Sequence, residues 1–290
     1  MSHPIAAIAP AVGLGSWSFE PAVTVPTLAA AALYWRGYAV LSLRMPERFG
    51  PGRPAAFLAG LAMLALALCS PLDPLGHFLL QAHMIQHLFL MLVVPPLLWL
   101  GAPVAPILLG MPRPLRRAVA RGLAARPVRR LTAVLDHPAF GWIAFIGAFW
   151  LWHLPALYDL ALGADAWHHV EHLCFLTTAL LFWRPVILAW PARSPWPRWA
   201  MIPYLVLGEL QNTALSAILA FSDRVIYPAY EAVPRIWGVS ALEDQSIAGA
   251  IMWVPGSLAF LLPLLWLVLT AVAAPRDARG ISAQPALRRR

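Results

Sequence analysis

Seven long apolar stretches divide this chain, at residues 23–43, 55–69, 76–99, 137–154, 167–190, 199–221 and 246–272. Crossing the hydrocarbon of a bilayer takes roughly 20 residues of helix at about 1.5 Å per residue, and most of these stretches reach that length. Sixty per cent of the 290 residues are apolar and 12% are charged, too little polar surface to keep a globule of this size in water. The expected fold is therefore all-α: a polytopic membrane bundle of seven transmembrane helices. Prolines punctuate it. Pro71 and Pro74 precede the third stretch, Pro155 follows the fourth, and Pro191, Pro195 and Pro197 separate the fifth from the sixth. Pro185 and Pro263 fall inside stretches and are expected to kink them. Trp99, Trp142, Trp152, Trp167, Trp190 and Trp199 lie near the ends, as an interfacial aromatic belt requires.

The chain has no lysine, so its positive charge is carried by 21 arginines. Three sit at 44–53, seven at 113–130, three at 184–198 and five from Arg276 to Arg290, all on one side of a seven-helix path; only Arg224 and Arg235 fall on the other. Retention of positive loops in the cytoplasm then places the N-terminus outside and the C-terminus inside. Three parts follow: an outer segment 1–22, a membrane domain 23–272 and a basic cytoplasmic tail 273–290. Residues 1–20 lack the basic start and short apolar core of a cleavable signal peptide, so the first span is expected to remain. A net charge of +8 parcelled between apolar spans gives no basic face for nucleic acid. Cys69 and Cys174 form no C-x-x-C pair, and neither a disulfide framework nor a thiolate zinc knuckle is expected.

Apart from His3 and His137, every histidine maps to the outer half. His77, His83 and His87 lie on the third helix, His153 ends the fourth, and His168, His169 and His172 open the fifth. At about 100° per residue, His83 and His87 are roughly 40° apart, and His77, Met84 and Met91 form a stripe within about 120° of His83. His168, His169 and His172 fall in an arc of about 100° by the same rule, with Glu171 expected to point elsewhere. Counted from the outer ends, His83 and His87 lie about 10 and 16 Å deep and His172 about 7 Å deep, so they can share a layer. His172 is the deepest ligand on its helix, with His168 and His169 nearer the entrance.

Gln245, Gly249 and Met252 make one stripe of the seventh helix at comparable depth. Imidazoles and thioethers at one level, below outer carboxylates such as Asp73 and Asp244, suit a borderline or soft metal; methionine favours copper, above all Cu(I), over magnesium or calcium. Histidines also bond within helix packing or sit at the interface, and methionine stripes also pack cores, so Met84, Met91 and Met252 act as support only. In the sixth span, Glu209, Gln211 and Asn212 form a separate polar patch. Glu209 is either a functional carboxylate or a neutral acid bonded to a neighbour.

The string His83-Met84-Ile85-Gln86-His87-Leu88, continuing to Val94-Pro95-Pro96-Leu97-Leu98-Trp99-Leu100-Gly101-Ala102-Pro103, resembles the CtaG family of bacterial cytochrome c oxidase assembly factors. Trp152-His153-Leu154-Pro155 with Tyr158-Asp159, then His168-His169-Val170-Glu171-His172, then Asp244 to Gly249 with Met252-Trp253, resemble it in the same order. The resemblance implies a seven-helix protein of the bacterial inner membrane that assists maturation of a haem-copper oxidase and has a part in handling copper. Its partners would be lipid, oxidase subunits and copper chaperones. No C-x-C or C-x-x-C copper motif is present.

The expectation is a non-enzymatic assembly factor that holds copper transiently on its histidines. Two other classes remain open. One is a zinc-dependent intramembrane hydrolase, with Asp73, Glu171 or Asp244 as general base, although no H-E-x-x-H string occurs. The other is a bis-histidine haem protein with axial ligands from the third and fifth helices. A transporter, suggested by Glu209, would call for an inverted repeat, and none is visible.

Overall fold

The computed structural model describes residues 15–273, whose regular structure is helical with no strand among them. His3 and the basic tail from Arg276 onward lie outside the described residues. The helices are α1 (Pro21–Arg44), α2 (Gly52–Cys69), a short α3 (Leu72–Gly76), α4 (Leu80–Leu100), α5 (Val104–Gly110), α6 (Arg113–Ala124), α7 (Arg126–Leu135), α8 (Pro138–Trp152), α9 (Pro155–Gly163), α10 (Asp165–Ile187), α11 (Met201–Phe221) and α12 (Ala241–Ala273).

Five are long and apolar enough to cross a membrane: α2, α4, α10, α11 with the turn before it, and α12. The α7–α8 pair, bent by 66°, makes a sixth if counted as one span. Length and apolarity alone thus yield five or six of the seven expected spans. The shortfall has local causes. α1 carries Arg36 within its apolar run, and α8 stops after 15 residues because Pro155 opens a new helix two residues beyond His153. The outside of the bundle is apolar, with Leu43, Ile143, Leu262 and Val272 all exposed, as suits a lipid solvent.

α4 lies at the centre, packed by α2, α10 and α12. The hydropathy of 76–99 suggested one helix from Gly76, but the chain turns at His77 and α4 begins at Leu80. Asp244, in the first turn of α12, explains the start: its Oδ2 accepts from Leu80 N at 2.8 Å and its Oδ1 from Gln81 N at 3.1 Å. Two free N–H groups of a helix start are thereby satisfied by a fully buried carboxylate, which also meets the positive end of the helix dipole. α12 is started in turn by a capping box, in which Ser240 Oγ accepts from Glu243 N at 3.2 Å and Glu243 Oε2 accepts from Ser240 N at 2.9 Å. Further along α4, residues Phe89–Val93 form a π-helical turn. Pro95 and Pro96 lack the N–H groups that would close an α-turn there, and the released Met91 carbonyl accepts from Trp183 Nε1 at 2.8 Å.

Several tryptophans read as an interfacial belt are inward-facing donors instead. Trp99 Nε1 donates to Leu180 O at 2.8 Å, Trp142 Nε1 to Tyr204 O at 3.2 Å, and Trp152 is buried; Trp167 and Trp199 remain exposed. Close approach of α1 and α5 depends on two glycines, since a Cβ on Gly37 would collide with the Pro106 carbonyl and one on Gly110 with the Leu33 carbonyl.

The bundle has two chemically distinct ends. At one, Ser18 N bonds Cys69 O, Glu20 faces His169, Asp244 caps α4, and Tyr227 OH donates to the His153 carbonyl. At the other, Arg53 donates to Leu100 O at 2.6 Å and Arg184 pairs with Asp136, close to the basic helices α6 and α7. Histidines gather at the first end and arginines at the second. We expect Asp244→Ala to lower the thermal midpoint of detergent-solubilised protein by an amount equivalent to about 1–2 kcal/mol, the scale of a lost helix cap. Asp244→Asn should recover part of it, and a wild-type midpoint for the alanine variant would refute the capping role.

Candidate metal centre

Helical spacing brings the pairs together. His83 and His87 sit one turn apart on α4 with ring centroids 4.2 Å apart, and His168 and His172 repeat the arrangement on α10 at 4.1 Å. The two pairs face each other, His87 lying 5.5 Å and His83 6.3 Å from the His172 ring, with His83 5.2 Å from His168. All four are buried.

Glu171 reverses the expectation for its helix. It points into the cluster, fully buried, with Oε2 3.7 Å from His83 Nε2 and Oε1 3.8 Å from His87 Nε2. His169, expected on the same arc as His168 and His172, instead faces Glu20 at 3.6 Å and is 60% exposed. At about 100° per residue, Glu171, His168 and His172 also fit an arc of about 100°, and His169 lies about 160° from Glu171. The rotation is chosen by packing: the buried stripe of α10 runs from Glu171 through Phe175, Ala179, Phe182 and Val186. That stripe was the signal in the sequence for Glu171.

His83, His87, Glu171 and His172 each offer one ligand atom, all within 4.8 Å of one another. The separations from Glu171 exceed a hydrogen bond, and no hydrogen-bond partner is found for the Nε2 atoms of His83, His87 and His172 or for either Glu171 oxygen. Buried polar atoms are normally paired, and so many facing one point fit a cation that would accept their lone pairs together. Three imidazoles and a carboxylate suit a borderline divalent ion such as zinc or copper.

The surroundings hold these ligands in place. Tyr158 covers His83 at 5.2 Å between centroids, and Phe175 lies 4.7 Å from His87. Tyr230 OH donates to the Gly76 carbonyl at 2.8 Å and lies 3.1 Å from Tyr158 OH, so Tyr158, quoted from sequence only within a family string, and Tyr230, not singled out there, close the roof. Burial pushes the Tyr230 phenol well above its ordinary pKa. His153 is adjacent, 6.4 Å from His87 by ring centroid. Its Nδ1 lies 2.7 Å from the Phe149 carbonyl, which can only accept, so Nδ1 carries the proton and the unpartnered Nε2 presents a lone pair. Beneath, His87 and His153 share an apolar chamber with Met84, Met91 and Met252.

Other candidates have different places. His77 is half-buried at the end of α3, 5.4 Å from His168, and belongs to no α4 stripe. Asp73 accepts from Gln86 Nε2 at 2.8 Å and groups with His168 and His172; burial pushes its carboxyl above the usual range, against the effect of that bond. Gln245 is structural: Oε1 accepts from Ile226 N at 2.6 Å and Nε2 donates to Arg224 O at 3.2 Å. Glu209 is joined to Thr213 and Ser257, whose hydroxyls donate to its Oε1 at 2.9 and 2.5 Å. Cys69 and Cys174 are free thiols outside the four-residue cluster.

Comparison with known proteins places this site in context. Uncharacterized proteins of Mycobacterium leprae (strain TN) and Mycobacterium bovis (strain ATCC BAA-935 / AF2122/97) are each 26% identical to the chain, over 254 and 249 residues. The match takes in 82% of this chain but 36% of each relative, so the chain spans about a third of the length of the curated relatives it matches. No solved structure matches. The family model described as cytochrome c oxidase caa3 assembly factor (Caa3_CtaG) matches residues 32–274, a segment that holds every residue of the four-ligand cluster. The chain belongs to that family of oxidase assembly factors.

Proposed function

We propose that this protein binds a copper ion with His83, His87, Glu171 and His172 and hands it to a haem-copper oxidase or its copper chaperones during assembly. The observation that carries the reading is the set of converging, unpartnered lone pairs from α4 and α10 in a member of an oxidase assembly family. Copper is favoured by the thioethers of Met84, Met91 and Met252 in the chamber next to His87 and His153. The ion is cargo, and no catalytic step is assigned to the chain. Zinc fits the same four donors, and Glu171 would then serve as a ligand, not as the general base of a hydrolase. The haem reading loses support because Glu171 occupies the gap between the facing histidines.

The reading includes a seven-span bundle in the bacterial inner membrane, with the histidine end outside. Two helices are added to the five of sufficient length and apolarity. α1 has 24 residues and reaches about 36 Å at the helical rise, and α8 is a short span that passes the length and apolarity test together with α7 across the 66° bend before it. The arginines at the opposite end support the cytoplasmic assignment of that end. Reporter fusions test it: a fusion after Arg130 should be active only as a cytoplasmic reporter, and activity as an exported reporter would reverse the bundle.

For metal binding, elemental analysis of protein from its native membrane should find copper. His83→Ala with His87→Ala should reduce copper affinity by more than about tenfold, a loss that removal of an outer partner alone can reach. Oxidase activity should fall with it at matched expression. Of the α10 histidines, His172→Ala should cost most and His169→Ala least. Wild-type copper content in the double variant, with the protein still folded, would reject the centre.

A further inference from the structure

We propose that the ion reaches the four-residue centre through a second, outer position made by Asp73, His168 and His172, at the inner end of a cavity that Glu20 and His169 border. This rests on the reading that the inner centre holds a metal ion.

Asp73, His168 and His172 each offer one ligand atom, and the three lie within 4.8 Å of one another, as do the four atoms of the inner set. His172 is common to both sets. His168 and His172 are 4% and 5% exposed, and each has an Nε2 without a partner, so the outer position is more than a carboxylate near a surface. Asp73 is held in place by Gln86, whose Nε2 donates both to Asp73 Oδ1 and to the Ala67 carbonyl at 2.9 Å. That leaves Asp73 Oδ2 without a hydrogen bond among the described residues.

A cavity of about 410 Å³ adjoins this set, lined by Glu20, Asp73, His169 and His172 among others. Glu20 and His169 are more than half exposed and stand at its border, Asp73 is mostly enclosed, and His172 is buried at the inner end. Exposed carboxylate, enclosed carboxylate and buried imidazole form a graded path for a cation leaving water. The direction follows from the donor count. The outer position offers three donors beside a cavity and the inner one offers four without exposure, so an ion gains a ligand as His172 passes it inward. Because His172 serves both positions, a single ion occupies them in turn.

The test uses full-length protein in detergent with cobalt(II) chloride as the probe, its uptake followed by stopped-flow absorbance and its final content by elemental analysis. Wild type should load one cobalt per chain. Asp73→Asn, which can still accept from Gln86, should load about tenfold more slowly, the lower range of electrostatic effects on ion capture. It should reach the wild-type ligand-field spectrum. His168→Ala should behave in the same way, whereas His87→Ala should lower the final content itself. Loading of Asp73→Asn and His168→Ala at the wild-type rate would overturn the outer position, as would two cobalt ions bound per wild-type chain or an altered final spectrum in Asp73→Asn. A wild type that takes up no cobalt or copper would instead sink the metal reading and this inference together.

Discussion

Asp244 grips the first two N–H groups of α4, and the geometry of the histidine end depends on where that helix begins. Had α4 started at Gly76, as hydropathy suggests, His77 would share its face with Met84 and Met91, and His83 would lie two turns deep. The cap moves the start to Leu80, which leaves His83 within the first turn and His87 one turn further in. The shift also frees residues 77–79 to turn, so that His77 leaves α4 and meets His168 from the side. The Phe78 carbonyl in this turn accepts from Arg235 Nη2 at 2.8 Å, an arginine that also faces Asp244. A buried carboxylate in a membrane bundle is costly unless it is bonded on most sides, and here the cost is offset by two backbone donors and a neighbouring cation.

The cluster itself is under a different constraint. Each buried polar atom without a partner costs about 1–3 kcal/mol, and the ε nitrogens of three histidines with both oxygens of Glu171 are in that position together. Packing cannot remove the cost, because these side chains are enclosed by Tyr158, Phe175 and their own helices. Such a concentration of local conflict inside an otherwise consistent core is an observation that supports the proposed binding site.

The all-helical class with membrane-length spans was legible from the long apolar stretches, and the two i, i+4 histidine pairs from periodicity: 3.6 residues per turn places His83 above His87 whatever the neighbours are. Rotation of a helix about its axis was not. A wheel allows Glu171 or His169 beside His168 and His172, and the choice between them is made by Phe175, Ala179 and Phe182 burying against α4, α8 and the rest of the core. Span counting was limited by the same separation of local and tertiary effects. Apolar length marks 137–154 as one crossing, but Pro155 and the bend before α8 are backbone events that average hydropathy does not register. The tryptophans show a third case. Position near a helix end suggests an interface, yet the Trp99 and Trp142 indoles each donate to a carbonyl of a neighbouring helix.

Donor chemistry changes with depth in one direction. Glu20 and Asp73 present oxygen near the cavity, the four-residue centre is mostly imidazole, and Met84, Met91 and Met252 present thioethers in the chamber that His87 and His153 share. Hard ions such as magnesium and calcium prefer oxygen and bind poorly to imidazole or thioether, so for them the path becomes less favourable inward. On the proposed path, an ion at home with nitrogen and sulfur would gain at every step. His87 belongs to the centre and also borders the thioether chamber, just as His172 belongs to the centre and to the outer set. Each thus joins two neighbouring donor environments, and on the proposed path an ion would exchange ligands one at a time instead of losing its whole shell in a low-dielectric interior. On the proposed function, such stepwise exchange would let the ion move between donor sets without giving up all its ligands at once.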